Sequence, residues 1–280
     1  MQDVKGKTAV VTGGNSGIGL GIARALAAEG ANLVLVGMDH AKAENAAATL
    51  ARDYGVSAIG VRCDVTNRQQ VETMADKAYA EFGNVDILIN NAGLGAGGPI
   101  HEITEGDWDW VMAVNVKGIF HCCAVFLPRM LAAGRPAHVS NMGSEQSFGL
   151  ADASFGSMVA YTASKHAVLG ISESMRRDHA NDGIEVSIIC PGPVATDIWN
   201  AERNRPAEFG DKREVSPEGK DVIHDMGMDP DVVGRMTVEG IKAGDFYIFT
   251  HSYIRDLVKA RHEEALTALE KTDAWHRLGV

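Results

Sequence analysis

Four cysteines are all this sequence has, Cys63, Cys122, Cys123 and Cys190. They show no paired framework, no Cys-x-x-Cys and no histidine at ligand spacing, which argues against a disulfide scaffold and against zinc. They read instead as small buried apolar residues in a reducing compartment. Basic side chains are outnumbered 26 to 37, for a net charge of −11. A polyanion needs a basic face to release its counterions, so nucleic acid and an anionic membrane surface are excluded as partners. No apolar run approaches the roughly 18 residues of a membrane helix. The charged Met1–Lys7 segment leads straight into a strand-like run, unlike a signal peptide, so the expected location is cytoplasmic. The ten histidines are scattered, and no metal is expected. No proline-rich or low-complexity linker divides the chain, which is read as one domain over residues 1–280.

What is present is an alternation. Near-continuous apolar runs at Thr8–Thr12, Asn32–Val36, Ala58–Arg62, Val85–Asn90, Ala137–Ser140, Glu185–Cys190 and Phe246–Phe249 have the pattern of strands covered on both faces. Ala- and Leu-rich helical segments lie between them, at about 17–29, 40–54, 67–82, 104–132, 157–181 and 229–243, and a last one runs from Tyr253 to about Lys271. Strand–helix alternation implies right-handed crossovers and an α/β fold: a doubly wound, parallel, seven-stranded sheet with helices on both faces. Two stretches, about 143–158 and 196–228, are longer than such connections need. They read as substrate loops at the carboxyl end of the sheet.

Thr12-Gly13-Gly14-Asn15-Ser16-Gly17-Ile18-Gly19 falls where the first strand ends and the first helix begins. A tight strand-to-helix turn needs positive φ, and a pyrophosphate can approach only where no Cβ intervenes. The helix N-terminus then offers unpaired N–H groups to the anion. This context makes the turn a nucleotide-binding candidate rather than merely a tight bend. Further along, Tyr161 and Lys165 are four apart, on one helix face. A free phenol ionises near pH 10, and lowering that by about three units takes roughly 4 kcal/mol of preferential phenolate stabilisation. A nearby ammonium in a site shielded from water would contribute to it.

The Gly-x-x-x-Gly-x-Gly spacing resembles that of the short-chain dehydrogenase/reductase family, and the match continues in order. Asp64-Val65 follows the third strand, Asn90-Asn91-Ala92-Gly93 closes the fourth, and Asn115 lies in Asn-Val-Lys-Gly. Tyr161-Thr-Ala-Ser-Lys165 opens a helix, and Pro191-Gly192-Pro193-Val194-Ala195-Thr196 ends the sixth strand. The resemblance implies an NAD(P)-dependent alcohol dehydrogenase or ketone reductase. Tyr161 would exchange the proton, Lys165 would depress its pKa and hold the nicotinamide ribose, and Asn115 would anchor a proton-carrying water, unless it serves only as a helix-kink residue. Ser144 would hydrogen-bond the substrate oxygen. It lies seventeen residues before Tyr161, about four more than the family spacing, and Gly143 stands where the family has a first serine.

For the cofactor, the resemblance implies contacts from Gly13, Ser16, Gly17, Ile18 and Gly19. Asp64 would meet the adenine amino group and Val65 its ring, with Asn90 and Gly93 at the adjacent ribose and Asn91 tying strands together. Pro191, Gly192, Val194 and Thr196 would line the nicotinamide. Gly37 occupies the place of the acid that selects NAD, and Met38 the place often held by an NADP-selecting arginine. Asp39 comes two residues late, and either reaches the ribose or caps the next helix. No cation is clearly set for a phosphate, which tips the reading toward NAD. Phe148, Phe155, Met158, Trp199 and Phe209 suggest an apolar or aromatic secondary alcohol or ketone. The stretch from Arg203 to Gly210 and the long C-terminal helix are similar to the bacterial Cα-dehydrogenase branch acting on lignin-type aryl ethers. Mainly reductive carbonyl chemistry, or a catalytically silent nucleotide sensor, stays open. A dimer or tetramer built on the helices at about 104–132 and 157–181 is expected.

Overall fold

The computed structural model describes residues 1–150, 157–212 and 227–277. Seven parallel strands form one sheet: β1 Thr8–Thr12, β2 Asn32–Gly37, β3 Ala58–Arg62, β4 Ile87–Asn90, β5 Ala137–Met142, β6 Ile184–Cys190 and β7 Tyr247–Phe249. Their order is β3-β2-β1-β4-β5-β6-β7. The chain winds outward from β1 in one direction and from β4 in the other, so the two halves meet at a topological switch.

The unbroken apolar runs have a physical cause visible in the register. Val10 pairs with Val34 on one side and Leu88 on the other. These three point to one face, where Val71, Met74, Phe126, Met130 and Val168 pack over them. Their neighbours Ala9, Val11, Leu33, Leu35, Ile87 and Ile89 point to the opposite face and meet Ile22, Leu26, Leu50, Val238 and Ile241. The covering helices are α3 Arg68–Phe82, α5 Gly118–Ala133 and α6 Val159–Asp178 on the first face, and α1 Gly17–Ala28, α2 His40–Tyr54 and α7 Pro230–Ala243 on the second. α1 and α7 cross in close contact: a Cβ on Gly234 would fall 2.2 Å from the Gly21 carbonyl oxygen.

Local chemistry sets the ends. Asp39 caps α2, Asn67 caps α3, and Gly55 and Gly83 close them in the left-handed region. The single helix expected at about 104–132 is instead α4 Glu105–Met112, one π-helical turn Ala113–Lys117, and α5. The extra residue per turn rotates Asn115 inward. This stretch also corrects the expectation that no segment is apolar enough to cross a membrane: Glu105–Ala133 passes by length and composition, with 56% of its most apolar window buried in the fold, as in a core helix. The last helix, α8 Ile254–Arg277, runs six residues beyond its expected end.

Candidate active site

The carboxyl ends of the strands open onto one cleft of about 770 Å³, a size suited to a cofactor with part of a substrate. Gly13 and Gly17 have φ of 65° and 52°, a region that side chains disfavour. A Cβ would also lie 2.8 Å from Asn91 Nδ2 at Gly13, and 2.3 Å from the Gly13 oxygen at Gly19. Gly13, Ser16, Gly17 and Ile18 line the cleft; Gly19 packs behind the turn rather than facing it. Ser16 is the N-cap of α1, yet its hydroxyl makes no capping bond. It faces the cleft beside the free amides of the first helical turn, the donor set that fits a pyrophosphate.

At the far end, Asp39 accepts from the Lys42 amide (3.0 Å) as the cap of α2 and also lines the cleft. Two contributors escaped the sequence reading. A Cβ on Gly37 would fall 2.3 Å from Asn15 Nδ2, so the Asn15 amide fills the space that an acid side chain would need. Lys42 brings a cation to the same end; it is invisible in sequence because it lies on α2, outside the glycine turn. Asp64 and Val65 both line the cleft, although one Asp64 oxygen is already engaged by the Thr66 amide and hydroxyl at 2.9 and 2.7 Å.

Tyr161 and Lys165 stand on the first turns of α6 and face the cleft. Lys165 Nζ lies 5.3 Å from the Tyr161 ring centroid and donates to the Met142 carbonyl at 2.7 Å. Burial pushes the Tyr161 hydroxyl up to about 12; its hydrogen bond with Ser144 lowers it, and the charge of Glu145 raises it again. Burial likewise takes Lys165 down to about 8. The sequence reading has the ammonium depressing the phenol. In the protein alone the loss of water dominates for both groups, because each charged form is desolvated.

Ser144 is buried next to Tyr161 despite the longer spacing, since residues 144–147 form a short 3-10 turn folded back onto α6. Gly143 is glycine for want of room: a Cβ there would meet Ile188 at 2.8 Å. Asn115 exchanges hydrogen bonds with the Leu94 backbone (2.9 and 3.0 Å) and donates to Ser164 Oγ (3.0 Å), so the kink role is met in full. Gly93 lies between it and the lysine; a Cβ there would be 3.3 Å from Asn115 Oδ1 and 3.8 Å from Lys165 Nζ.

Several expectations need correction. Asn90 does not face the cleft. Its amide donates to Asn141 Oδ1 at 2.8 Å and sits against Cys123, within the sheet. Asn91 does tie strands, donating to the Thr12 carbonyl, and also lines the cleft. Pro191 and Thr196 line it; Gly192 and Val194 do not. Gly192 is overlaid by Tyr253 and His251, and Val194 is buried in a bridge with Met228. Phe148 is not a pocket residue but a core anchor, edge-on to Phe249 at 5.2 Å. Trp199, Phe209 and Met158 also fall outside the lining. Phe155 and much of the two long loops, 151–156 and 213–226, lie outside the described residues. The apolar wall is made instead by Leu94, Trp110, Val114, Met142, Ile198 and Ala201. Among the described residues no cluster of three His, Cys, Asp or Glu could hold a metal.

Comparison with known proteins identifies the family. The family model for short chain dehydrogenases matches residues 7–207. A C alpha-dehydrogenase of Sphingobium sp. is 32% identical over 273 residues, covering 95% of this chain and 87% of that one. A D-threitol dehydrogenase of Mycolicibacterium smegmatis is 39% identical over 202 residues, covering 71% and 75%. Among solved structures, a short chain dehydrogenase/reductase from Burkholderia phymatum in complex with NAD superposes with a TM-score of 0.88 at 37% identity, covering 96% and 97%. The chain therefore belongs to the short-chain dehydrogenase/reductase family, and with it to the nicotinamide-dependent oxidoreductases of alcohols and ketones.

Proposed function

We propose that this protein interconverts apolar or aromatic secondary alcohols and their ketones with NAD, using Tyr161 as the acid/base. The observation that carries the reading is that Tyr161 and Lys165, 5.3 Å apart from ammonium to ring, both line the glycine-turn cleft beside its apolar wall. The cleft's residues would hold a nicotinamide, which when bound would supply the hydride chemistry. Tyr161 Oη removes the hydroxyl proton in oxidation and returns it to the carbonyl oxygen in reduction. Ser144 Oγ donates to the same oxygen and holds it near the phenol. Lys165 holds the nicotinamide ribose and, while charged, favours the phenolate. Asn115 anchors a water that carries the proton toward Lys165, across the gap at Gly93. The adenosine end is held by the glycine turn, by Ser16, and by Asp64 and Val65, while Pro191 and Thr196 flank the other end.

Two observations favour NAD: the Asp39 carboxylate at the ribose end of the cleft, and a relative of 37% identity solved with that cofactor. A carboxylate there accepts from ribose hydroxyls and repels a 2′-phosphate. The second reading, NADP, is favoured by Lys42, a cationic residue that lines the same cleft. The wall residues Leu94, Trp110 and Ile198 support an apolar substrate, with no charged group among them. The test is Tyr161→Phe, assayed for turnover on a panel of secondary alcohols and for NADH and NADPH binding by fluorescence. The expected result is a loss of turnover of about 10³-fold with NADH binding intact and tighter than NADPH. Full turnover in this variant would overturn the acid/base role. Tighter NADPH binding would move the cofactor to NADP.

A further inference from the structure

The segment between β7 and α8, Thr250–Tyr253, folds back over the loop that follows β6. That loop supplies Pro191 and Thr196 to the cleft. His251 Nδ1 accepts from the Gly192 amide at 3.2 Å, so this nitrogen carries no proton. The Thr250 hydroxyl lies 2.7 Å from the same nitrogen. Tyr253 Oη donates at 2.5 Å to the carboxylate of Glu145, whose own amide donates to the Pro191 carbonyl at 2.9 Å. The His251 and Tyr253 rings stand edge-on, 5.5 Å apart. Glycine at 192 is what admits them: a Cβ there would lie 2.2 Å from Tyr253 Oη and 3.1 Å from His251 Cγ. Glu145 is buried, and buried carboxylates are seldom kept without a task. This one bridges the 3-10 turn after β5, the loop after β6 and the segment before α8.

We propose that His251 and Tyr253 are positioning residues that hold the backbone at Pro191 and Gly192 in place before the cofactor arrives, and so set the affinity for it. The proposal rests on the reading that this cleft takes NAD or NADP. Residues 191–193 have neither helix nor strand of their own, so their conformation depends on what holds their backbone. Fixing one free backbone residue costs roughly a factor of ten in an equilibrium constant. Anchors already made in the free protein remove that cost from binding. The loop is anchored from two sides. Met228 donates to the Pro193 carbonyl and accepts from the Ala195 amide, both at 3.0 Å, while His251 takes the Gly192 amide and the Tyr253–Glu145 pair takes the Pro191 carbonyl. Neither His251 nor Tyr253 lines the cleft, so each acts through the loop rather than on the cofactor. The start of α8 fixes the segment in turn. Ile254 is fully buried there, and Leu257 presses on Gly149, where a Cβ would lie 3.1 Å from Leu257 Cβ.

The test sets His251→Ala, which deletes the acceptor, beside His251→Asn, whose Oδ1 stands where Nδ1 stands. In the cofactor-free protein, hydrogen exchange at the Gly192 amide should quicken in the alanine variant. NADH binding, followed by fluorescence, should weaken by about tenfold. His251→Asn should restore both, and Tyr253→Phe should weaken binding in the same direction. In turnover, KM for NAD should rise more than kcat falls. Unchanged NADH affinity in His251→Ala, with or without faster exchange, would overturn the proposal, as would an asparagine variant no better than alanine. If His251→Ala fails to fold, Tyr253→Phe, which lacks a single oxygen, decides on the same two measurements, and unchanged affinity there overturns the proposal equally. Failure of the cofactor reading is seen separately, as an unmutated protein that binds neither NADH nor NADPH, and it takes this proposal with it.

Discussion

Burying the Lys165 ammonium opposes folding, since loss of water brings its pKa from 10.5 down to about 8. Below pH 8 the amine is protonated in both folded and unfolded chains, and the full penalty applies. Between about 8 and 10.5 the unfolded chain binds more protons, so stability rises with pH through that window. Lys165→Met removes the penalty. In urea unfolding at pH 7 the variant should be more stable than the unmutated protein, by on the order of 3 kcal/mol, with the gap closing toward pH 10.5. It should be inactive at both. An equal gap at the two pH values would mean that the amine is not desolvated as described. The cleft thus holds a residue whose burial opposes folding.

At the scale of elements, the loop after β6 is held by a buried ion pair that no motif announced. Arg205 Nη1 meets Asp107 Oδ1 at 2.7 Å, with both side chains nearly inaccessible. The guanidinium also donates to the Phe209 carbonyl at 2.6 Å and lies over the Trp110 ring at 5.2 Å. Asp107 in turn completes the capping box of α4 with Thr104. This set joins the loop carrying Ile198 and Ala201 to the helix carrying Trp110, and so shapes the apolar wall. Arg205 also pairs with Glu202 at 3.1 Å, so removing the guanidinium takes away the cation shared by two carboxylates, a loss on the order of 3 kcal/mol. Arg205→Ala should lower Tm by roughly 10 °C and raise KM for the alcohol more than it lowers kcat. An unchanged Tm would show that the pair carries no such strain.

For the whole molecule, the sheet buries both of its faces within one chain, yet α5 leaves Phe120 57% exposed and Leu131 38% exposed on its outer side. We propose that a second copy covers them. Sedimentation should give a dimer or tetramer, and Phe120→Glu should shift it toward monomer; a monomeric unmutated protein would remove the proposal. The architecture itself was legible from the chain because it rests on local periodicity: the strands are near-continuously apolar rather than alternating, the pattern of a sheet covered on both sides. The glycine turn and the Tyr161–Lys165 pair were legible for the same reason, as each lies within a turn or two of one element. What spacing does not carry is distance across crossovers. Asn90 meets Asn141 rather than the cleft, Phe148 anchors in the core, the π turn appears inside a helix-like run, and Glu145 meets Tyr253, 108 positions away. The amino-acid order by itself determined the layers and set Tyr161 and Lys165 on one face of a helix. The packing of α6, the 3-10 turn and the segment before α8 alone decided which charges surround that pair, because burial and contact arise only when distant elements close on one another.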